Sequence, residues 1–441
     1  MPGDICPRPH GGQARGRGAS RPRSAVVERA AERVCGKTLT ALKASFVFNG
    51  GLHSIAKCLD LPPSALRPPP AGHFLAVLRA TAPFRNLPMM AYRGHSGPWL
   101  ENNWIAHFCC ERNTETFGGF VPLFVQWMDL FVGPVGSTVG PDGRPSAPPK
   151  KGGERWSVDY GMLWRTLRGL LRPNVAYVTV SAHDFGIAAG LFPQAEFPNV
   201  LVLSGGGFGH VPVPLLKADE ALVGAPTERS LFAIFLGSFA NNPRREAWLR
   251  ALSAELKRLG LPSVKLFGGG PSEGAWREAA ASSHFCICPR GRGRSAFALA
   301  EAAQLGCIPV YLYDDEEWLP YQGSLDADWS RFGLSAAATP VGLRGLAARL
   351  ARLWRRPGAL DGLRATLLRL AATHFSHEGV ADQISRFLLG SSNSSLRCRR
   401  RPNSSSPSGP VRVVVSGGRD GRVGGSAELP LEEATRVVRK K

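Results

Sequence analysis

The chain has 441 residues, more than one typical domain holds, and 44% of them are hydrophobic, enough for two or three cores. Its formal charge is +20, but residues 1–72 and 391–441 carry +7 each, leaving an ordinary +6 for residues 73–390. The basic excess therefore lies in the flanks, which argues against a nucleic-acid-binding core.

No stretch approaches the ~20 apolar residues of a membrane span, and the first residues lack the apolar run of a signal peptide. Residues 1–44 are rich in Arg, Gly, Ala and Pro and read as poorly ordered, with at most a short helix near Val26–Cys35. Residues 61–72 form a proline-rich linker, so order is expected from about His73. Glu101 lies near the start of an expected helix, and Cys109–Cys110, at the end of a helix, could be thiols or bridged. The stretch 134–154 is a Gly/Pro-rich insertion and reads as a surface loop. A helix at Ser157–Leu171 and strands at Val175–Ser181 and Val200–Ser204 follow, then irregular chain over 205–228.

A second block opens with a buried strand at Leu231–Gly237, an amphipathic helix at Arg244–Leu259 and a short strand at Val264–Phe267. Residues 285–321 read as strand, turn, helix and strand. Helices follow at Val341–Arg355, where Leu343, Leu346, Leu350 and Leu353 recur at helical spacing, and at Gly358–Leu389. Strands alternating with helices predict an α/β fold with parallel, doubly wound sheets. The expected division is a basic N-terminal region and linker over 1–72, Rossmann-like domains over 73–228 and 229–390, and a disordered basic tail over 391–441.

Nine cysteines in so long a chain do not form a disulfide framework. Cys286 and Cys288 alternate with Phe285 and Ile287, so both are expected as core thiols rather than metal ligands. Neither Gly205–Gly209 nor Gly268–Gly270 has the Lys-Ser/Thr ending of a phosphate-binding loop. Asn393-Ser394-Ser395 and Asn403-Ser404-Ser405 are glycosylation sequons, a pattern that a Ser-rich tail also produces by chance.

The chemistry concentrates after the strand at Phe285. Arg290, Arg292 and Arg294 crowd a glycine-containing turn that runs into a helix near Ser295. A helix start offers unpaired N–H groups, and guanidinium forks suit phosphate oxygens. Glu301 is the only acid on that helix, placed to accept hydroxyl hydrogen bonds. A solvated loop and an exposed helix acid are the plain alternatives. Asp326-Ala327-Asp328 has the spacing of a metal-holding acidic pair, but two oxygens alone do not make a hard-cation site, so a structural role is preferred. The acidic run Asp314–Glu317 reads as a solvated loop beside the site.

Several segments together carry a family resemblance. Cys288-Pro289-Arg290-Gly291, Ser295, Glu301-Ala302, Gly306-Cys307-Ile308-Pro309-Val310 and Leu319-Pro320 follow one another in the order found in exostosin-family glycosyltransferases. Gly97-Pro98-Trp99-Leu100-Glu101-Asn102-Asn103-Trp104-Ile105 and His183-Asp184-Phe185-Gly186 resemble the family's N-terminal segments, with Phe185 where the family has Trp. Asp328-Trp329-Ser330-Arg331-Phe332 resembles the strand that follows Leu-Pro there. The resemblance spans roughly residues 85–390.

It implies a glycosyltransferase-B architecture, with two Rossmann-like domains facing across a cleft, and an inverting transfer from a nucleoside-diphosphate sugar to a glycan or glycoprotein acceptor. Arg290, Gly291, Arg294 and Ser295 would hold the donor diphosphate and Glu301 the ribose, with no metal or other cofactor required. A partner glycosyltransferase, in a hetero- or homo-oligomer, and a Golgi location are further implications; nucleic acid is not an expected partner.

Inverting transfer needs a base. His183, Asp184 and Glu101 are the leading candidates, with His210 behind them. His183-Asp184 follows a strand at an end expected to face the site, although polar residues at turns commonly bond only nearby backbone. Glu101 lies among Trp99, Trp104 and Phe108, a setting suited to sugar stacking or simply to core. Two rival readings stay open: a non-catalytic glycan-binding or transferase-partner protein, and a nucleic-acid-binding protein acting through its basic flanks.

Overall fold

The computed structural model describes residues 57–399, apart from 60, 86, 88–89, 92–97, 109–113, 133–136, 139–159, 188–196, 218–228, 241 and 268–272. It also describes Val411–Val413, paired antiparallel with Ala427–Leu429. Expectations for residues 1–44, Cys109–Cys110, most of 134–154, Gly268–Gly270 and the Asn403 sequon lie outside the described residues.

Two parallel sheets organise the molecule. The first contains Val121–Pro122 (β1), Tyr177–Ser181 (β2), Val200–Ser204 (β3) and Val211–Pro212 (β4), side by side in that order. Helices His73–Ala80 (α1), Leu100–Phe108 (α2), Trp127–Val132 (α3) and Tyr160–Leu170 (α4) belong to this half. β2 and β3 are unbroken runs with every residue buried, as strands covered on both faces must be.

The second sheet holds Leu231–Leu236 (β5), Lys265–Phe267 (β6), Ser283–Pro289 (β7), Ile308–Tyr313 (β8) and Leu334–Ala337 (β9), in the order β9-β8-β7-β5-β6. Its helices are Arg244–Arg258 (α5), Glu273–Ala281 (α6), Phe297–Gln304 (α7), Pro340–Arg355 (α8), Ala359–His374 (α9) and His377–Leu388 (α10). Alternation along β7 sorts its side chains between two cores. Phe285 and Ile287 join Phe235, Leu249, Val310 and Leu346 on one face. Cys286 and Cys288 face the larger core, which also takes in Val178 and Leu203 of the first sheet. The expected α/β architecture of two Rossmann-like halves is therefore present, with one core common to both.

The structure departs from expectation in several places. The single helix over Gly358–Leu389 is two helices, because Ser376 accepts the Gly379 N–H at 3.0 Å and caps a new start. Residues 329–332 are not a strand: Trp329–Arg331 forms a 3₁₀ turn, and β9 begins only at Leu334. Helix α6 is additional to the expected elements. Cys286 is no free thiol but is bonded to Cys307 across neighbouring strands, with Cα atoms 5.7 Å apart. Phe285 pairs with Ile308, which places the two cysteines side by side. Cys288 stays a buried thiol.

Packing also runs past both boundaries drawn from composition. Leu59 and Leu66 are buried before His73, and Leu396 after Gly390. A disulfide joins Cys58 to Cys398. Helix α10 returns to pack on α2 of the first half and on the 3₁₀ turn Thr114–Phe117, where a Cβ on the following Gly118 would sit 1.8 Å from the Leu388 carbonyl oxygen.

Candidate active site

The arginine turn is built by the end of β7. The Arg290 N–H continues the ladder to the Leu312 carbonyl at 2.8 Å, and the Gly291 N–H closes the turn onto the Ser295 carbonyl at 2.9 Å. Helix α7 then begins at Phe297, two residues later than expected, and no side chain caps it. Ser295 is buried two residues before that start. The first N–H groups of α7 are thus without a side-chain cap at the place where an anion is favoured.

Arg290 is buried and fully engaged. Its Nε donates to Gly293 O at 2.9 Å and one Nη to Arg292 O at 2.9 Å. The other Nη meets Asp314 at 3.0 Å and Asp315 at 2.7 Å. Arg294 pairs with Asp315 at 2.9 Å and Glu316 at 2.7 Å, and lies 4.1 Å over the Phe208 ring. The acids at 314–316 are therefore not a merely solvated loop; they neutralise the arginine turn. Arg292 is the exposed member, 5.8 Å from the Phe185 ring centre.

The first half clasps this turn from above. Arg294 N–H donates to Gly206 O at 2.9 Å, and the Trp318 indole donates to Ser204 O at 3.2 Å. The Asp184 carboxylate accepts the Gly293 N–H. Lys217 approaches Glu301 on α7 at 3.8 Å. The segments after β2, β3, β7 and β8 meet here, all at carboxyl ends of parallel strands, where ligands bind in such folds.

The three proposed base residues gather on the first-half side with unequal chemistry. Glu101 is withdrawn from solvent. It is fully buried and accepts backbone N–H groups from Met128 at 2.7 Å and Ala182 at 2.9 Å, tying α3 to the end of β2. Burial pushes its carboxyl up to about 7. His183 is buried against Phe131, ring centres 4.1 Å apart, and its Nδ1 accepts the Phe185 N–H at 3.1 Å. Burial, with help from Arg292, pulls its imidazole down to about 3, so it is neutral at ordinary pH. For Asp184, burial raises the carboxyl, opposed by Arg292, the Gly293 N–H, Arg290 and Arg245. His210 is turned inward, its Nδ1 accepting the Val202 N–H at 3.0 Å.

Asp328 accepts N–H groups from Ser330 at 2.9 Å and Gly323 at 2.7 Å. One residue escaped the sequence reading. Arg245 is buried and forks onto three carbonyls: Ser238 at 2.9 Å, Pro289 at 2.9 Å and Arg290 at 2.8 Å. It holds the loop after β5 against the arginine turn. Its phase was available, since Trp248, Leu249 and Leu252 at i+3, i+4 and i+7 place it on the buried face of α5.

Residues 210–341 match the Exostosin GT47 domain, a span that contains the arginine turn, Glu301 and the acids at 314–316. Two probable glucuronosyltransferases of rice (Oryza sativa subsp. japonica) are each 28% identical, over 190 and 188 residues. Each match covers 37% of this chain and 44% of the relative, so the chain spans less than half the length of these curated relatives. Among solved structures, TarM is similar at 9% identity and TM-score 0.32, covering 52% of this chain and 53% of that one. The catalytic domain of starch synthase IV from Arabidopsis thaliana is similar at 13% identity and TM-score 0.30, covering 48% and 55%. Over residues 210–341 the chain is thus similar to the exostosin family, the same family its motifs resemble.

Proposed function

We propose that the protein is an inverting glycosyltransferase that takes a sugar from a nucleoside diphosphate and delivers it to a glycan acceptor. The observation that carries this reading is the arginine turn at Arg290–Ala296, set at the carboxyl ends of both sheets within the exostosin-like span. The donor diphosphate would lie at the start of α7, near Gly291 and Ser295. There it would draw Arg292 and exchange with Asp315 and Glu316 for Arg290 and Arg294. Guanidinium groups and the helix dipole would then stabilise the charge on the departing diphosphate, with no metal required. Glu301, beside Lys217 on α7, would take the ribose hydroxyls. Asp184 is the candidate nearest the turn for proton abstraction, while Glu101 supports the loop that carries it. A Golgi setting, and a second glycosyltransferase as partner, belong to the same proposal.

A second reading, donor or glycan binding without transfer, is favoured by one observation. Glu101 and His183 are both buried and spend their acceptor atoms on backbone. Incubating the full chain with a panel of nucleoside-diphosphate sugars separates the readings. Release of nucleoside diphosphate supports transfer chemistry, binding without release supports the second reading, and absence of any binding overturns both.

A further inference from the structure

The chain contains two glycosylation sequons, and one of them lies in the described structure. Ser391–Ser394 forms a turn closed by the Ser394 N–H on Ser391 O at 3.1 Å. Its tip, Ser392 and Asn393, is exposed. Only the Asn393 backbone is engaged among the described residues, its N–H donating to Ser391 Oγ at 3.2 Å. The next three residues turn inward and are buried. Ser394 Oγ donates to Gln383 O at 3.3 Å, the Ser395 N–H donates to Gln383 Oε1 at 2.8 Å, and Ser395 Oγ meets His374 Nε2 at 3.0 Å. Three residues beyond Ser395 stands Cys398, bonded to Cys58.

We propose that Asn393 carries an N-linked glycan, attached before the segment that follows it docks. Three observations converge. The sequon is complete, its asparagine is exposed at the tip of a turn, and two disulfides lie among the described residues. Disulfides persist in oxidising compartments, and the lumen where they form is also where asparagine is glycosylated. In the transfer, Asn393 Nδ2 bonds to the anomeric carbon of an oligosaccharide carried on a lipid diphosphate. The carbon–oxygen bond to the diphosphate breaks, the amide loses one proton to a base of the transferring enzyme, and the lipid diphosphate departs.

The burial of Ser395 fixes the order of events. Its hydroxyl is half of the recognised motif, and in the folded protein it is occupied by His374 beneath the turn. The glycan must therefore arrive while residues 394–398 are undocked, before Cys398 closes onto Cys58.

Cell-free translation of the full chain behind a cleavable secretory leader, with microsomes present, tests this. The expected result is a product that loses mass on N-glycosidase treatment, with Asn393 converted to aspartate in its tryptic peptide. Asn403→Gln should keep that modification and Asn393→Gln should lose it. Folded, disulfide-bonded protein offered to opened microsomes should remain unmodified at Asn393. Recovery of Asn393 unconverted from imported, disulfide-bonded protein would overturn the site. Efficient modification of the prefolded protein would overturn the order.

Discussion

The Arg294 amide donates to the Gly206 carbonyl across the two halves at 2.9 Å, a backbone contact that leaves no room for side chains. A Cβ on Gly207 would lie 2.4 Å from Arg294 N, and one on Gly293 would lie 2.2 Å from Gly206 O. Gly207→Ala and Gly293→Ala should each cost about 1–3 kcal/mol, the usual penalty of overpacking, read by denaturant unfolding. Gly345→Ala, in helix α8 with nothing within 4 Å, should instead stabilise by about 0.5–1 kcal/mol.

Arg245 and Arg244 are neighbours with opposite fates. Arg245→Lys keeps the charge but cannot fork onto three buried carbonyls, and should cost about 2–4 kcal/mol as those acceptors lose their donors. Arg244, whose side chain is 63% exposed beside Asp314, should cost about 1 kcal/mol or less on truncation to alanine. Equal losses in a urea titration would refute the assigned division.

The acids at 315 and 316 compete with any anion for the arginine turn. Asp315→Asn and Glu316→Gln should each tighten nucleoside-diphosphate binding by about 2–5-fold at low salt, the range of a half-exposed ion pair. Isothermal titration against UDP, GDP and ADP reads this. Weaker binding by both variants would place the diphosphate elsewhere.

Glu101 and His183 pull the pH dependence of stability in opposite directions. The folded carboxyl of Glu101 titrates near 7, above its ordinary 4.5, so the folded state holds the extra proton between those values. Its contribution is therefore full below pH 4.5 and is lost as pH rises through 7. The folded imidazole of His183 titrates near 3, below its ordinary 6.5, so its contribution is present above pH 6.5 and is lost as pH falls towards 3. Glu101→Gln should flatten the decline in melting temperature between pH 5 and 8 and leave the acid limb in place. An unchanged profile would mean Glu101 is ionised throughout.

Cys286–Cys307 encloses the arginine turn and α7 in a loop 21 residues long. Replacing both cysteines by alanine should remove about 3 kcal/mol in the chain-entropy account. Peptide mapping without reductant should recover this pair and Cys58–Cys398 linked, and Cys288 should alkylate only after unfolding.

Much of the architecture was readable because continuous apolar runs such as Tyr177–Ser181 and Ile308–Tyr313 admit little but buried parallel strands. The arginine turn was readable for a similar reason, since a run of glycine and arginine between a buried strand and a helix marks a turn at the strand's carboxyl end. What escaped was pairing over distance. Nothing local says that Arg290 will meet Asp314 and Asp315, or that Cys286 will bond to Cys307. Glu101 misled because a carboxylate among aromatics looks the same whether it faces a sugar or two backbone amides. Only the tertiary fold, which brings Met128 and Ala182 to it, decides.

The bond between Cys58 and Cys398 has a mechanical consequence. It bridges a sequence separation of 340 residues and encloses both sheets. A pull applied at Met1 and Lys441 would run through that covalent bridge and leave the two parallel sheets, which lie between Cys58 and Cys398, unloaded. The two parallel sheets would feel tension only after reduction. An optical-trap recording should show no sheet-sized extension until a reductant is added.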